Sequence, residues 1–139
     1  MPASAYLADA NLNWMRGNAF PAAPGPNLFV SLHSNNPGYN GVNNDVTTAL
    51  LGARVAIAIS DFTAPADSPG GAGREMSNST LLTLTNSAIG PAVVTYFGLW
   101  TAVSAGNFLT YGLVTPATEF LVGDVIRFPA GRLVIKGGV

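Results

Sequence analysis

The sequence predicts a mainly β fold, an antiparallel β-sandwich with a small barrel as the alternative, preceded by one N-terminal helix. Three observations carry this expectation. Short runs rich in β-branched and aromatic residues alternate in facing, as strands with two distinguishable faces do. Turns built from Gly, Pro and Asn separate these runs at close spacing. Helical periodicity is convincing only near the N-terminus.

The helix spans residues 4–17. Ser4 is placed to cap its start and Gly17 its end, while Leu7, Ala10 and Trp14 form a stripe with Tyr6 and Met15 beside it. A helix of about three turns is marginal alone in water, so Trp14 and Met15 are expected to bury against this domain or a neighbouring chain. Residues 1–18 are therefore a candidate docking element, and residues 19–139 a single β-domain.

The prolines of FPAAPGPN exclude helix and interior strand, which leaves an extended linker. Leu28, Val30 and Leu32 then alternate with Phe29, Ser31 and His33 in a first strand. The Asn-, Gly- and Pro-rich stretch that follows, to about residue 46, reads as a long exposed loop. A second strand, Arg54 to Ile59, is followed by a loop containing DSPGGAGR, either a hairpin tip or an irregular crossover. Leu82 and Leu84 mark a third strand.

Residues 94–114, VTYFGLWTAVSAGNFLTYGLV, predict a hairpin with its turn at Ser104-Ala105-Gly106-Asn107. In its first arm Thr95, Phe97 and Leu99 share one face, with Val94, Tyr96, Gly98 and Trp100 on the other. Thr115-Pro116-Ala117-Thr118 reads as a turn, and Val125 to Phe128 and Arg132 to Lys136 as the last strands, with Leu133 and Ile135 facing inward.

Composition narrows the function. Charged residues make up only 9% of the chain and the net charge is −1, with an isoelectric point near 5.6. There is thus no electrostatic footprint for nucleic acid. A surface of such low charge barely repels its own kind and suits a subunit packed among neighbours in several copies. Mean hydropathy is +0.34, yet no run approaches the roughly 18 to 20 apolar residues of a spanning helix, so no membrane partner is expected. The N-terminus also lacks the basic and apolar regions of a secretory signal. The absence of cysteine excludes disulfides and thiolate metal sites.

Catalysis needs convergent acid, base or metal-binding groups, and none is signalled. His33 is the sole histidine, and as a strand-end residue it is expected to hydrogen-bond the following loop. The seven carboxylates are scattered, no G-x-S-x-G elbow occurs, and GGAG at 70–73 lacks the Lys-Ser/Thr of a phosphate loop. The Asn-rich loop also lacks a regular calcium pattern. The chain is expected to be non-enzymatic, with no cofactor or metal. The candidate assembly residues are Tyr6, Trp14, Met15, Tyr96, Trp100 and Tyr111. In an alternative reading, Tyr39 with Asn40 would contact a glycan.

The segments NLFVSLHSNNPG, GARVAIAISDFTAP, VTYFGLWTAVSAGNFLTYG and VGDVIRFPAGRLVIKG, taken in this order, resemble a family of small virion structural proteins of tailed bacteriophages, of tail-fibre type. The matching positions are His33, Pro37, Gly38, Arg54, Val55, Phe97, Gly98, Trp100, Tyr111 and Gly112, followed by a final hairpin at Gly123, Asp124, Phe128, Ala130 and Gly131. The resemblance implies a structural role in the phage tail, beside other tail and fibre proteins, for a chain produced in the host cytoplasm. It offers no catalytic residues. An adaptor that attaches fibres to the tail is the expected role; a host-surface carbohydrate-binding fibre module or a capsid decoration protein are the alternatives.

Overall fold

The structure, a computed structural model, describes residues 4–69, 73–85, 92–120 and 125–137. Helix α1 (Ala5–Met15) begins as its sequence dictates: the Ser4 side chain accepts from the Leu7 amide at 3.1 Å, and Gly17 takes φ +92° just past the end. Strand β1 (Asn27–His33) follows the proline-rich linker, then a short helix α2 (Thr47–Leu51) and β2 (Val55–Ala58). The remaining strands are β3 (Ala66–Asp67), β4 (Arg74–Ser77), β5 (Leu82–Thr85), β6 (Ala92–Trp100), β7 (Phe108–Phe120), β8 (Val125–Phe128) and β9 (Val134–Gly137).

The pairings are antiparallel and form a four-stranded sheet in the order β2-β1-β6-β7, a three-stranded sheet β3-β4-β9 and a β5-β8 pair, not closed into a barrel. The sandwich is built on one face of the large sheet. Leu28, Val30, Leu32, Phe97 and Leu99 from that face meet Leu84 and Phe128 of the β5-β8 pair and Ile135 of β9 in one core. Gly112 permits this closeness: a Cβ there would stand 2.6 Å from the Phe97 ring and 3.1 Å from the Val134 carbonyl.

The predicted hairpin is present, with Gly106 at φ +72° in its loop. Two of its details are corrected. Val94 does not share a face with Tyr96; it is buried in the same core as Phe97 and Leu99. The cause is a break in register, from Val94↔Thr118 to Tyr96↔Leu113, in which residues 114–117 of β7 lie opposite Thr95 alone. The same irregularity absorbs the expected turn at 115–118, so β7 runs on to Phe120.

Other expectations shift in the same way. Ile59 leaves β2 for a single 3₁₀ turn, Ile59–Asp61, and is exposed. The DSPGGAGR segment lies between β3 and β4, a paired arrangement in which β4 was not anticipated; residues 70–72 of it lie outside the described residues. Strands β8 and β9 do not form the expected final hairpin, because β8 pairs with β5 and β9 with β4. Asn78 makes this divergence workable. Its side chain accepts from the Leu133 amide at 2.9 Å and donates toward the Phe128 and Pro129 carbonyls, both at 3.1 Å, pinning the chain as it changes sheets. Gly123 and Asp124 lie outside the described residues.

Candidate functional site

Alternation leaves the large sheet with a second face, and this face is aromatic. Phe29 on β1, Tyr96 and Trp100 on β6, and Phe108 and Tyr111 on β7 pack together. Trp100 and Phe108 have ring centroids 5.0 Å apart, and Tyr96 meets Tyr111 edge-on at 5.9 Å. The Arg54 guanidinium lies 3.5 Å over the Trp100 ring and donates to the Ala102 and Ala105 carbonyls, so it ties the hairpin loop to the sheet.

A polar chain runs beneath these rings. Ser31 and His33, two apart on β1, point to the same side, and the Ser31 hydroxyl lies 2.7 Å from His33 Nε2. Trp100 Nε1 donates to Ser31 Oγ at 3.0 Å, and His33 Nδ1 lies 2.9 Å from the Asn43 carbonyl. A carbonyl only accepts, so Nδ1 carries the proton and Nε2 accepts from the serine. His33 is wholly buried, and burial pushes its pKa below the ordinary 6.5; the hydrogen bond to Asn43 and the charge of Asp45 oppose this, while Arg54 adds to it. The ring is thus neutral at pH 7. Gly98 makes room for the chain, since a Cβ there would lie 2.6 Å from Ser31 Oγ and 2.8 Å from Phe108. The geometry is that of a satisfied structural network, with the base and hydroxyl both sealed from solvent.

The loop over residues 34–46 closes this face. It is less exposed than its composition predicts, because Pro37 and Gly41 are buried, and a Cβ on Gly41 would meet the Phe108 ring at 2.5 Å. Backbone geometry explains what composition hid: Gly41 has φ +72° and its hydrogen-only side chain lets the loop lie flat on the ring. From the loop, the Tyr39 carbonyl accepts from Ala5 at 3.2 Å, and the Leu109 carbonyl on β7 accepts from Ser4 at 3.1 Å. The loop and β7 therefore hold the first turn of α1.

The sequence-predicted assembly residues separate into two groups. Trp100 and Tyr111 are buried within the chain, and Tyr96 and Tyr6 are half-buried. Trp14 and Met15 are 62% and 70% exposed, joined by Leu12 and Phe20. The stripe that buries Ala10 thus fails to reach the last turn of the helix. Tyr39 is 64% exposed at the loop surface beside exposed Asn40, while the loop itself is braced by Asn36 accepting from Gly38 and Asn44 donating to the Asn36 carbonyl. Among the described residues, no three His, Asp or Glu side chains gather as a metal site would require. Sequence reasoning left Ser31 and Gly98 without a role and expected Arg54 to pair with a carboxylate or cap a sheet edge, where it lies over Trp100 and donates to loop carbonyls; a glycine inside an aromatic strand was the available signal that something approaches closely there.

A sandwich-like β-domain with an apolar helix end turned to solvent has the make-up of an assembly component. The chain matches the family model described as Podophage GP4 fiber I protein gp80 over residues 2–136, and it belongs to that family. It is a phage tail-fibre-type structural protein, associated with other virion proteins in the tail. No curated protein matches it.

Proposed function

We propose that this chain is an adaptor, present in several copies, that holds fibres to the phage tail and docks through the C-terminal half of α1 and the arm after it. The exposed run of Leu12, Trp14, Met15 and Phe20 supports this reading most strongly. Aromatic and Met side chains are the types that dominate interface cores, and here four large apolar groups lie within nine residues of helix and linker. The segment that bears them carries little charge to oppose close packing: Arg16 is the only charged residue between Ala10 and Leu32. Residues 11–23, the end of α1 and the arm after it, are exposed throughout, so the contact would be made outside the core of the β-domain.

The test is particle composition. Trp14→Ala combined with Met15→Ala should leave the isolated chain folded, since both side chains are exposed, and should reduce its copies per particle together with those of the fibre it carries. Normal incorporation of the double variant would defeat the docking role. A second reading, a host-surface glycan-binding module, is favoured by one observation, the exposed Tyr39 ring on a braced loop beside Asn40. Specific binding on a glycan array, lost in Tyr39→Ala, would place that reading first.

A further inference from the structure

Hydrogen bonding fixes which way the backbone of β2 points. The Ile59 amide donates to the Pro26 carbonyl at 3.1 Å, and in the same register Ile57 lies opposite Leu28 and Val55 opposite Val30. Antiparallel pairs alternate between bonded and unbonded, so the amides and carbonyls of Ala56 and Ala58 point away from β1, along the outer edge of the four-stranded sheet. Among the described residues neither alanine finds a hydrogen-bond partner on that side, and Ala56 is exposed.

The other sheet edges carry features that blunt pairing with a foreign strand. β7 holds Pro116 and Glu119, and its Leu109 carbonyl is taken by the Ser4 amide. β3 is two residues long, follows Pro65 and bears Asp67, while β9 bears Lys136 and β8 bears Arg127. β5 lies beside α2. β2, Val55-Ala56-Ile57-Ala58, has neither proline nor charge. Arg54 is the only charged residue between Asp45 and Asp61, and its guanidinium is held over Trp100 and on the Ala102 and Ala105 carbonyls.

We infer that β2 is a self-pairing edge: β2 of a second copy of this chain adds to it antiparallel, and the two four-stranded sheets continue as one. Unpaired backbone groups in a row recognise another extended strand. The second copy fits because the edge is its own complement. About a two-fold axis at Ile57, Ala56 of each copy faces Ala58 of the other, and each such pair exchanges both backbone bonds. Methyl groups meet on that face, and no like charges are brought together, so nothing in the edge discourages its own kind. Ile59, exposed at the end of β2, adds an apolar side chain there. The edge is only four residues long, and an interface well below about 1,000 Å² makes the isolated pair weak and dependent on concentration. It uses none of Leu12, Trp14, Met15 or Phe20, and stands whether or not α1 docks.

Sedimentation of the full chain from about 10 µM to about 1 mM reads the association, and amide hydrogen exchange over β2 reads its place. The mass should rise from 14.3 kDa toward twice that value. Ile57, paired with Leu28, should be protected at every concentration, while the Ala56 and Ala58 amides slow by about fivefold from the dilute to the concentrated sample. Ala58→Pro removes one outward N–H at a position whose backbone suits it, since Ala58 already has φ −63° and proline fixes about −65°. That variant should keep Ile57 protected and remain a single chain throughout. A single-chain mass for the parent at about 1 mM, which would leave the edge to a strand of another virion protein, would overturn the pairing. So would exchange at Ala56 and Ala58 that ignores concentration, or a pair that persists in folded Ala58→Pro. If Ala58→Pro does not fold, the contrast between Ile57 and its two neighbours in the unaltered chain decides it.

Discussion

Gly98→Ala is the sharpest perturbation of the aromatic face. The added methyl would stand 2.6 Å from Ser31 Oγ, 2.8 Å from Phe108 Cε1 and 3.2 Å from His33 Nε2. None of these is the loose end of a flexible side chain: Ser31 is held by His33 and Trp100, and Phe108 by Trp100 and Gly41. Overpacking a rigid site costs about 1–3 kcal/mol. Displacing Ser31 would also leave a buried Trp100 N–H or the His33 acceptor unpaired, at about 1–3 kcal/mol. The expected loss is thus about 2–6 kcal/mol from the two contributions, a large part of the stability of a small domain. Denaturant unfolding followed by circular dichroism measures it, with the indole nitrogen signal of Trp100 reporting the local break. A Gly98→Ala variant within about 0.5 kcal/mol of the parent would show that the face is loosely packed, and would refute the close-packed network described for it.

Three further outcomes follow from other parts of the fold. Phe97→Ala should cost about 3–5 kcal/mol in the same assay, because Phe97 is completely buried at the centre of the core. Asn78→Ala should cost about 2–4 kcal/mol, since it strands the buried Leu133 amide and removes the donor for the Phe128 carbonyl; hydrogen exchange at Leu133 should rise first. Global stability should fall on acidification through His33. Its folded pKa lies below 6.5, so the unfolded chain binds the proton first; the contribution is intact above pH 6.5 and is lost as pH drops through the folded value. Urea titrations of the parent and of His33→Gln at pH 7.5 and pH 5 isolate this contribution, which should be missing from the variant.

Periodicity and turn chemistry made the helix, β1, β5, the central hairpin and the inward set Leu133 and Ile135 legible in the sequence, because each depends on neighbours along the chain. Irregularity hid the rest. A register break with its extra residues on β7, opposite Thr95, accompanies the entry of Val94 into the core without altering a single residue type, and a Thr-Pro-Ala-Thr run that favours a turn is carried inside β7 by pairing on either side. The destinations of β8 and β9 rest on Asn78, about fifty residues before Phe128, and no local pattern reports so distant a bond. The site was legible in the same uneven way. The exposed residues Trp14, Met15 and Tyr39 were visible as large side chains without an obvious place in the core. The aromatic face is closed at Phe108, the ring packed with Trp100 and Tyr111, by Gly41, in a loop whose composition reads as solvent-facing.

Oxidative footprinting of the chain inside intact particles, compared with the isolated chain, tests the docking account most directly. Met15 and Trp14 are exposed in the chain alone and should be readily oxidised there, while half-buried Met76 provides an internal reference. The account predicts that Met15 and Trp14 become strongly protected in the particle, with Met76 little changed. Equal oxidation of Met15 and Trp14 in both states would contradict it.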